Sequence, residues 1–135
     1  MPQTQTGTPA TAELPTTSRI ALALLAFLAI GPFVTGLDLW LRFLPDYPAF
    51  RHFYAAGTLG HALWIGSGVL ALATVALIRR RQFVAAAIVS AVFAAANMTG
   101  APMVWGQATY GPWLAIAAFV LCVAGAIVAR RDATA

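Results

Sequence analysis

Residues 82–129 read QFVAAAIVSAVFAAANMTGAPMVWGQATYGPWLAIAAFVLCVAGAIVA, and this stretch of 48 residues contains no formally charged side chain. A helix that crosses a bilayer needs about 20 mostly apolar residues, so the stretch is too long for one such helix and suits two. Residues 105–112, WGQATYGP, contain the glycines and the proline typical of a turn between helices. The stretch therefore predicts two membrane-spanning helices joined by a short loop.

The chain before this stretch predicts two further spans. Eighteen uncharged residues separate Arg19 from Asp38, and 27 separate Arg51 from Arg79. We therefore expect an all-α membrane protein, a four-transmembrane-helix bundle within residues 19–131. The predicted spans lie near 20–41, 54–78, 83–104 and 112–129, and Gly31-Pro32 should kink the first one. Residues 1–18 predict a disordered N-terminal tail and 132–135 a short C-terminal tail.

The composition indicates that most of the protein surface contacts lipid. Hydrophobic residues make up 61% of the chain and charged residues 9%, against roughly 25% charged in an average soluble domain. At 135 residues there is no room for a separate soluble catalytic module. The net charge of +4 comes from arginines at the ends of apolar runs, which does not form the basic, aromatic-interleaved surface of a nucleic-acid-binding domain.

The distribution of arginine predicts the orientation in the membrane. Six arginines flank the spans on the side of the two termini, against two, Arg42 and Arg51, on the other side. Because short cytoplasmic loops are enriched in basic residues, we expect both termini in the cytoplasm of a plasma membrane. The abundance of alanine and the absence of lysine indicate a bacterial protein from a GC-rich genome. The six arginines are Arg19, Arg79, Arg80, Arg81, Arg130 and Arg131.

Small residues predict where the spans pack, because transmembrane helices associate through close backbone approach. On the second span one face carries Gly57, Gly60, His61, Trp64, Gly68 and Ala71. The third span repeats alanine at four-residue spacing in Ala87, Ala91 and Ala95, and the fourth carries Ala118, Cys122 and Ala126.

Three polar residues are the candidate intramembrane site: Asp38, His61 and Asn97. An ionisable group at membrane depth indicates function when a partner can be named. In one interpretation Asp38 accepts a hydrogen bond from His61 in a proton-responsive or ligand-binding pocket. In the other, His61 and Asn97 form hydrogen bonds across helices that fix their register, and Asp38 pairs with Arg42 at i, i+4.

Aromatic and polar residues in the outer loops form a candidate rim: Trp40, Arg42, His52, Trp105, Gln107 and Tyr110. Tryptophan and tyrosine favour the headgroup layer, so a membrane-interface belt accounts for most of these residues. A surface for a partner or a ligand is the alternative.

The sequence predicts no catalytic residue, cofactor or metal site. Cys122 is the only cysteine. His52 and His61 are about 13 Å apart along a continuous helix, too far to share one ion. The leading hypothesis is a non-enzymatic accessory or interaction subunit that docks on a membrane-protein partner or its own copy. The alternative is a small proton-coupled transporter, a homodimer working around Asp38, His61 and Asn97. A haem- or metal-binding redox subunit ranks third.

Overall fold

The computed structural model describes residues 13–106 and 110–134, and within these residues every regular element is a helix. Four of the helices are long and apolar enough to cross a membrane, which confirms the prediction of an all-α protein with four candidate spans. The fifth is a short helix between the first two spans. The helices are α1 (Thr16–Leu41), α2 (Pro48–Ala55), α3 (Gly57–Arg79), α4 (Phe83–Trp105) and α5 (Tyr110–Thr134).

The helix bounds differ from the prediction in three places. Helix α1 begins at Thr16, so the last residues of the predicted tail form its first turn; residues 1–12 lie outside the described part. Ser18 is buried there because it packs against Gly125, where an added Cβ would lie 2.5 Å from the serine Oγ. The predicted span 54–78 is divided, because α2 ends at Ala55 and α3 begins at Gly57, whose φ of 84° changes the direction of the chain. Helix α5 continues to Thr134, through most of the predicted C-terminal tail.

The four long helices form a closed square. Helix α3 packs between α1 and α4, and α5 packs between α4 and α1, so spans that are neighbours in sequence are neighbours in space. Helix α2 packs on α4. We call the end of the bundle that carries α2 the α2 end. We call the opposite end, with residues 79–82, the start of α1 and the end of α5, the termini end.

Glycines set the closest helix contacts. An added Cβ on Gly100 of α4 would lie 2.9 Å from the backbone nitrogen of Trp64 in α3. On Gly68 of α3 it would lie 2.7 Å from the Cβ of Pro32 in α1. Both distances are shorter than real Cβ contacts allow, so the helices can approach this closely only because glycine has no side chain at these two positions.

The predicted small-residue faces are confirmed in part for two spans and wrong for one. On α3, Gly60, Trp64, Gly68 and Ala71 are buried, but His61 is half-buried and Gly57 is exposed. On α5, Ala118 and Cys122 are buried and Ala126 is half-buried. On α4 the predicted Ala91 and Ala95 are exposed. Alanine occurs on every face of this helix, so its spacing does not select the packing face. The buried face of α4 consists of Ala86, Ser90, Phe93, Ala94, Asn97, Gly100, Ala101 and Val104.

Candidate functional site

Asp38 forms hydrogen bonds with two residues of the chain that follows α1. Its carboxylate is fully buried near the end of α1, and its Oδ2 accepts a hydrogen bond from the Tyr54 hydroxyl. Its Oδ1 accepts a hydrogen bond of 2.7 Å from the backbone N–H of Leu44. Arg42 ends α1 in the left-handed conformation, with φ 51°, and this turn brings Leu44 back to Asp38. One carboxylate therefore holds both the connecting loop and α2 against α1.

Tyr54 takes the place that the sequence interpretations gave to His61 or Arg42. The pKa of Tyr54 is raised above its ordinary value because its hydroxyl donates to the Asp38 carboxylate, and desolvation adds to the rise. Arg42 places its guanidinium 4.4 Å from the centre of the Tyr54 ring, in a cation–π contact. Sequence reasoning missed this pairing because the chain between Asp38 and Tyr54, which are 16 positions apart, reverses its direction, and the geometry of that reversal has no periodic signal.

His61 holds α2 from the other side. The structure places it in the first turn of α3, about 6 Å from the start of that helix, whereas a helix starting near Phe53 would have put it 10–12 Å deep. Its Nε2 lies 2.6 Å from the carbonyl oxygen of Phe53, and the two rings are 4.9 Å apart. With the proton on Nε2, His61 donates a hydrogen bond to the Phe53 carbonyl in the last turn of α2, where carbonyl groups have no backbone N–H partner within the helix.

An aromatic cluster joins α2 to the bundle. Phe53 is fully buried and stacks on Trp105 with ring centres 5.7 Å apart. Trp64 meets Trp105 edge-on at 5.8 Å. Trp105, which the sequence assigned to the outer rim, is half-buried and packs against this cluster, because α2 packs on α4.

The other rim candidates remain at the surface where they are described. Trp40 is 87% exposed and Tyr110 is 86% exposed. Arg42 and His52 are also exposed, and the ring of His52 lies against Gly106, where an added Cβ would meet it at 2.8 Å. Gln107 lies outside the described residues. Trp113, on the first turn of α5, is 70% exposed and joins the same end.

Asn97 has a separate environment. It lies on α4 with 1% of its surface exposed, and its Oδ1 has no hydrogen-bond partner within residues 13–106 and 110–134. The side chain lines a crevice of about 230 Å³ between α1 and the start of α5. The crevice is bounded by Phe27, Leu28, Ile30, Gly31, Pro32, Trp64, Asn97 and Gly111.

Hydrogen bonds fix one wall of this crevice. The indole N–H of Trp64 donates to Thr35 Oγ1 at 2.8 Å, and the Thr35 hydroxyl donates to the Gly31 carbonyl at 2.7 Å. The structure thus does not bring the three predicted site residues together. Asp38 and His61 contact α2 from different sides, and Asn97 borders the crevice.

The donor set for a metal is sparse in the described part of the chain. No three His, Cys, Asp or Glu side chains there come close enough to hold one ion. Cys122 is buried on α5. The prediction of a protein without a metal or cofactor stays a prediction.

Comparison of the chain with protein-family models, with curated protein sequences and with solved structures gives no match. The functional argument therefore depends on the geometry of the chain itself.

Proposed function

We propose that this protein is a non-enzymatic accessory subunit that docks through α5 on a transmembrane helix of a membrane-protein partner. The observation that carries the proposal is the exposed face of α5. In its most apolar stretch 22% of the residues are buried, against 33% in each of the other three spans. Helix α5 thus has the smallest share of fully buried residues among the four spans, and most of its other residues are half-buried.

The exposed face of α5 has the spacing of a helix-docking surface. Six residues separated by three or four positions lie on one side of the helix, which is the heptad pattern of packed helices. Its aromatic and aliphatic members are exposed, from 86% at Tyr110 to 48% at Ile127, and its two alanines are half-buried. Small residues between large ones allow a second helix to approach closely. This α5 stripe consists of Tyr110, Trp113, Ala117, Val120, Ala124 and Ile127.

A groove extends the α5 stripe at the termini end. It has a volume of about 180 Å³, lies between α4 and α5, and is lined by Ala87, Ala126 and Ile127 among other residues. A docking helix that follows the stripe would meet this groove at Ile127. The two features together give a continuous apolar surface along α5.

The engagement of the polar residues argues against a proton-coupled carrier. A proton path requires titratable groups that exchange partners, whereas Asp38 is bound to Tyr54 and Leu44, and His61 to Phe53. We expect no proton flux above background in proteoliposomes under a pH gradient, measured with an entrapped pH dye. Flux that disappears in Asp38→Asn would favour the carrier instead.

Location and orientation belong to the same proposal. We propose a bacterial plasma membrane with both termini in the cytoplasm, because the termini end carries six arginines and the α2 end two. Since Cys122 is the only cysteine, a Cys122→Ala background allows single cysteines to be introduced at Arg80 and at Asp46. In intact cells an impermeant thiol reagent should label the cysteine at 46 and spare the one at 80. The reverse labelling would contradict the orientation.

The docking surface is tested by filling the space next to its alanines. Ala117→Leu with Ala124→Leu should hold a partner helix away from α5, so the chain should leave its assembly. Ala73→Leu with Ala76→Leu is the matched control, because both alanines are exposed on α3. Each chain is extracted from its own membrane in a membrane-solubilising polymer and sized. Release of both double variants, or of neither, would contradict the assignment to α5.

A further inference from the structure

We propose that the crevice beside Asn97 binds a ring-bearing amphiphile dissolved in the bilayer, whose hydroxyl group donates a hydrogen bond to the Asn97 side chain. This site is independent of the α5 stripe. It is recognised by its volume, its lining and the unsatisfied side chain of Asn97.

Asn97 supplies the polar contact. Its Oδ1 has no protein donor in the described chain although the residue is 99% buried, which is costly for a carboxamide. A carboxamide both accepts and donates, and a hydroxyl group can do the same. A ligand hydroxyl in the crevice would therefore satisfy Asn97, whereas a purely apolar ligand would leave it unpaired.

The proline in α1 leaves a second acceptor at the same place. Pro32 has no amide hydrogen, so the carbonyl of Leu28 lacks the donor that a regular helix would supply from position 32. Both residues border the crevice. Binding sites of this kind combine an apolar lining with a small number of polar groups that orient the ligand.

The size and lining fit a single ring. At about 230 Å³ the crevice exceeds an apolar protein cavity of about 150 Å³ that holds benzene. Trp64 supplies an aromatic wall, and its orientation is fixed by the bond to Thr35. Gly31 keeps the crevice open, because an added Cβ would lie 3.3 Å from the Trp64 ring and occupy this space.

The mouth of the crevice determines the source of the ligand. Phe27 and Ile30 border it and are 62% and 58% exposed on the membrane-spanning part of α1. Residues exposed on this part of a span contact lipid, so a ligand enters from the bilayer. The ligand class is therefore a lipid-soluble molecule with one hydroxylated ring.

The test compares probes that differ in one group. Para-fluorophenol and fluorobenzene are titrated by fluorine NMR against the protein in lipid nanodiscs, with empty nanodiscs as background. One hydrogen bond of ordinary strength predicts that the phenol binds about fivefold tighter than fluorobenzene. Para-fluoroanisole, which cannot donate, should bind no tighter than fluorobenzene. Equal binding of the anisole and the phenol would overturn the role given to Asn97.

Three variants locate the site. Asn97→Leu keeps the branched shape of the side chain but removes its hydrogen-bonding groups, and it should lower the affinity for the phenol to that for fluorobenzene. Ile30→Trp fills the mouth and should abolish saturable binding of both probes, while Val69→Trp, on an exposed position of α3, should leave both unchanged. The proposal is overturned if the wild-type protein shows no saturable binding, or if Asn97→Leu leaves the phenol preference intact. Should Asn97→Leu fail to fold, binding that persists in Ile30→Trp would overturn it equally.

Discussion

Gly100→Ala is expected to loosen the contact between α3 and α4. The added Cβ would lie 2.9 Å from the Leu63 Cβ and 2.9 Å from the Trp64 backbone nitrogen. A backbone atom cannot rotate away, so the helices must separate or the new methyl group must stay strained. Overpacking of this kind costs about 1–3 kcal/mol, which lowers the equilibrium constant for folding about 5- to 150-fold.

Gly66→Ala is the matched control, because an added Cβ there meets no other atom within 4 Å. Alanine favours helix over glycine by up to about 1 kcal/mol in water. Membrane spans keep their backbone hydrogen bonds when they separate, so most of this gain is absent in lipid. We expect the free energy of unfolding of Gly66→Ala to stay within about 0.5 kcal/mol of the wild-type value.

The assay is unfolding of the two variants in mixed micelles of increasing dodecyl sulfate content, followed by tryptophan fluorescence. The midpoint should fall for Gly100→Ala and stay in place for Gly66→Ala. Equal midpoints for the two variants would refute the close contact between α3 and α4 at this position.

Two further predictions concern hydrogen bonds at and near the α2 end. The pKa of the Tyr54 hydroxyl should lie above its ordinary value, so the stabilising hydrogen bond to Asp38 should be complete below the ordinary pKa and lost as pH rises through the raised pKa. Ultraviolet difference absorbance should show a lower pKa of Tyr54 in Asp38→Asn. An unchanged titration would contradict the hydrogen bond. Thr35→Val removes the acceptor of the Trp64 indole N–H and should lower the free energy of unfolding by about 1 kcal/mol. Thr58→Val, at an exposed position, should leave the dodecyl sulfate midpoint unchanged. Equal loss of stability in the two variants would contradict the role of Thr35.

Charge-free length predicted the number of spans, and the reason is the bilayer itself. Each span must form its own backbone hydrogen bonds across a bilayer of fixed thickness, so the number of apolar residues between arginines determines how many helices can cross it. The bounds of α2 and α3 were harder to predict. The break at Gly57 depends on a positive φ, and a single glycine in an apolar run has the same sequence whether it interrupts the helix or lies within it.

The polar residues were found from the sequence, but their partners were not. Asp38, His61 and Asn97 stood out because polar groups are rare in such spans. The pairing of Asp38 with Tyr54 depends on how residues 42–47 reverse the chain, and the crevice beside Asn97 depends on how α1, α3, α4 and α5 pack. Both are tertiary features, with no counterpart in spacing along one helix.

The size of the native assembly tests the central claim, docking through α5, most directly. The account predicts that the wild-type chain, extracted from its own membrane in a solubilising polymer, runs with a larger partner. It also predicts that Ala117→Leu with Ala124→Leu runs as the chain alone, and that Ala73→Leu with Ala76→Leu keeps the wild-type size. A wild-type chain that runs alone, or an assembly that survives the α5 substitutions, would contradict it.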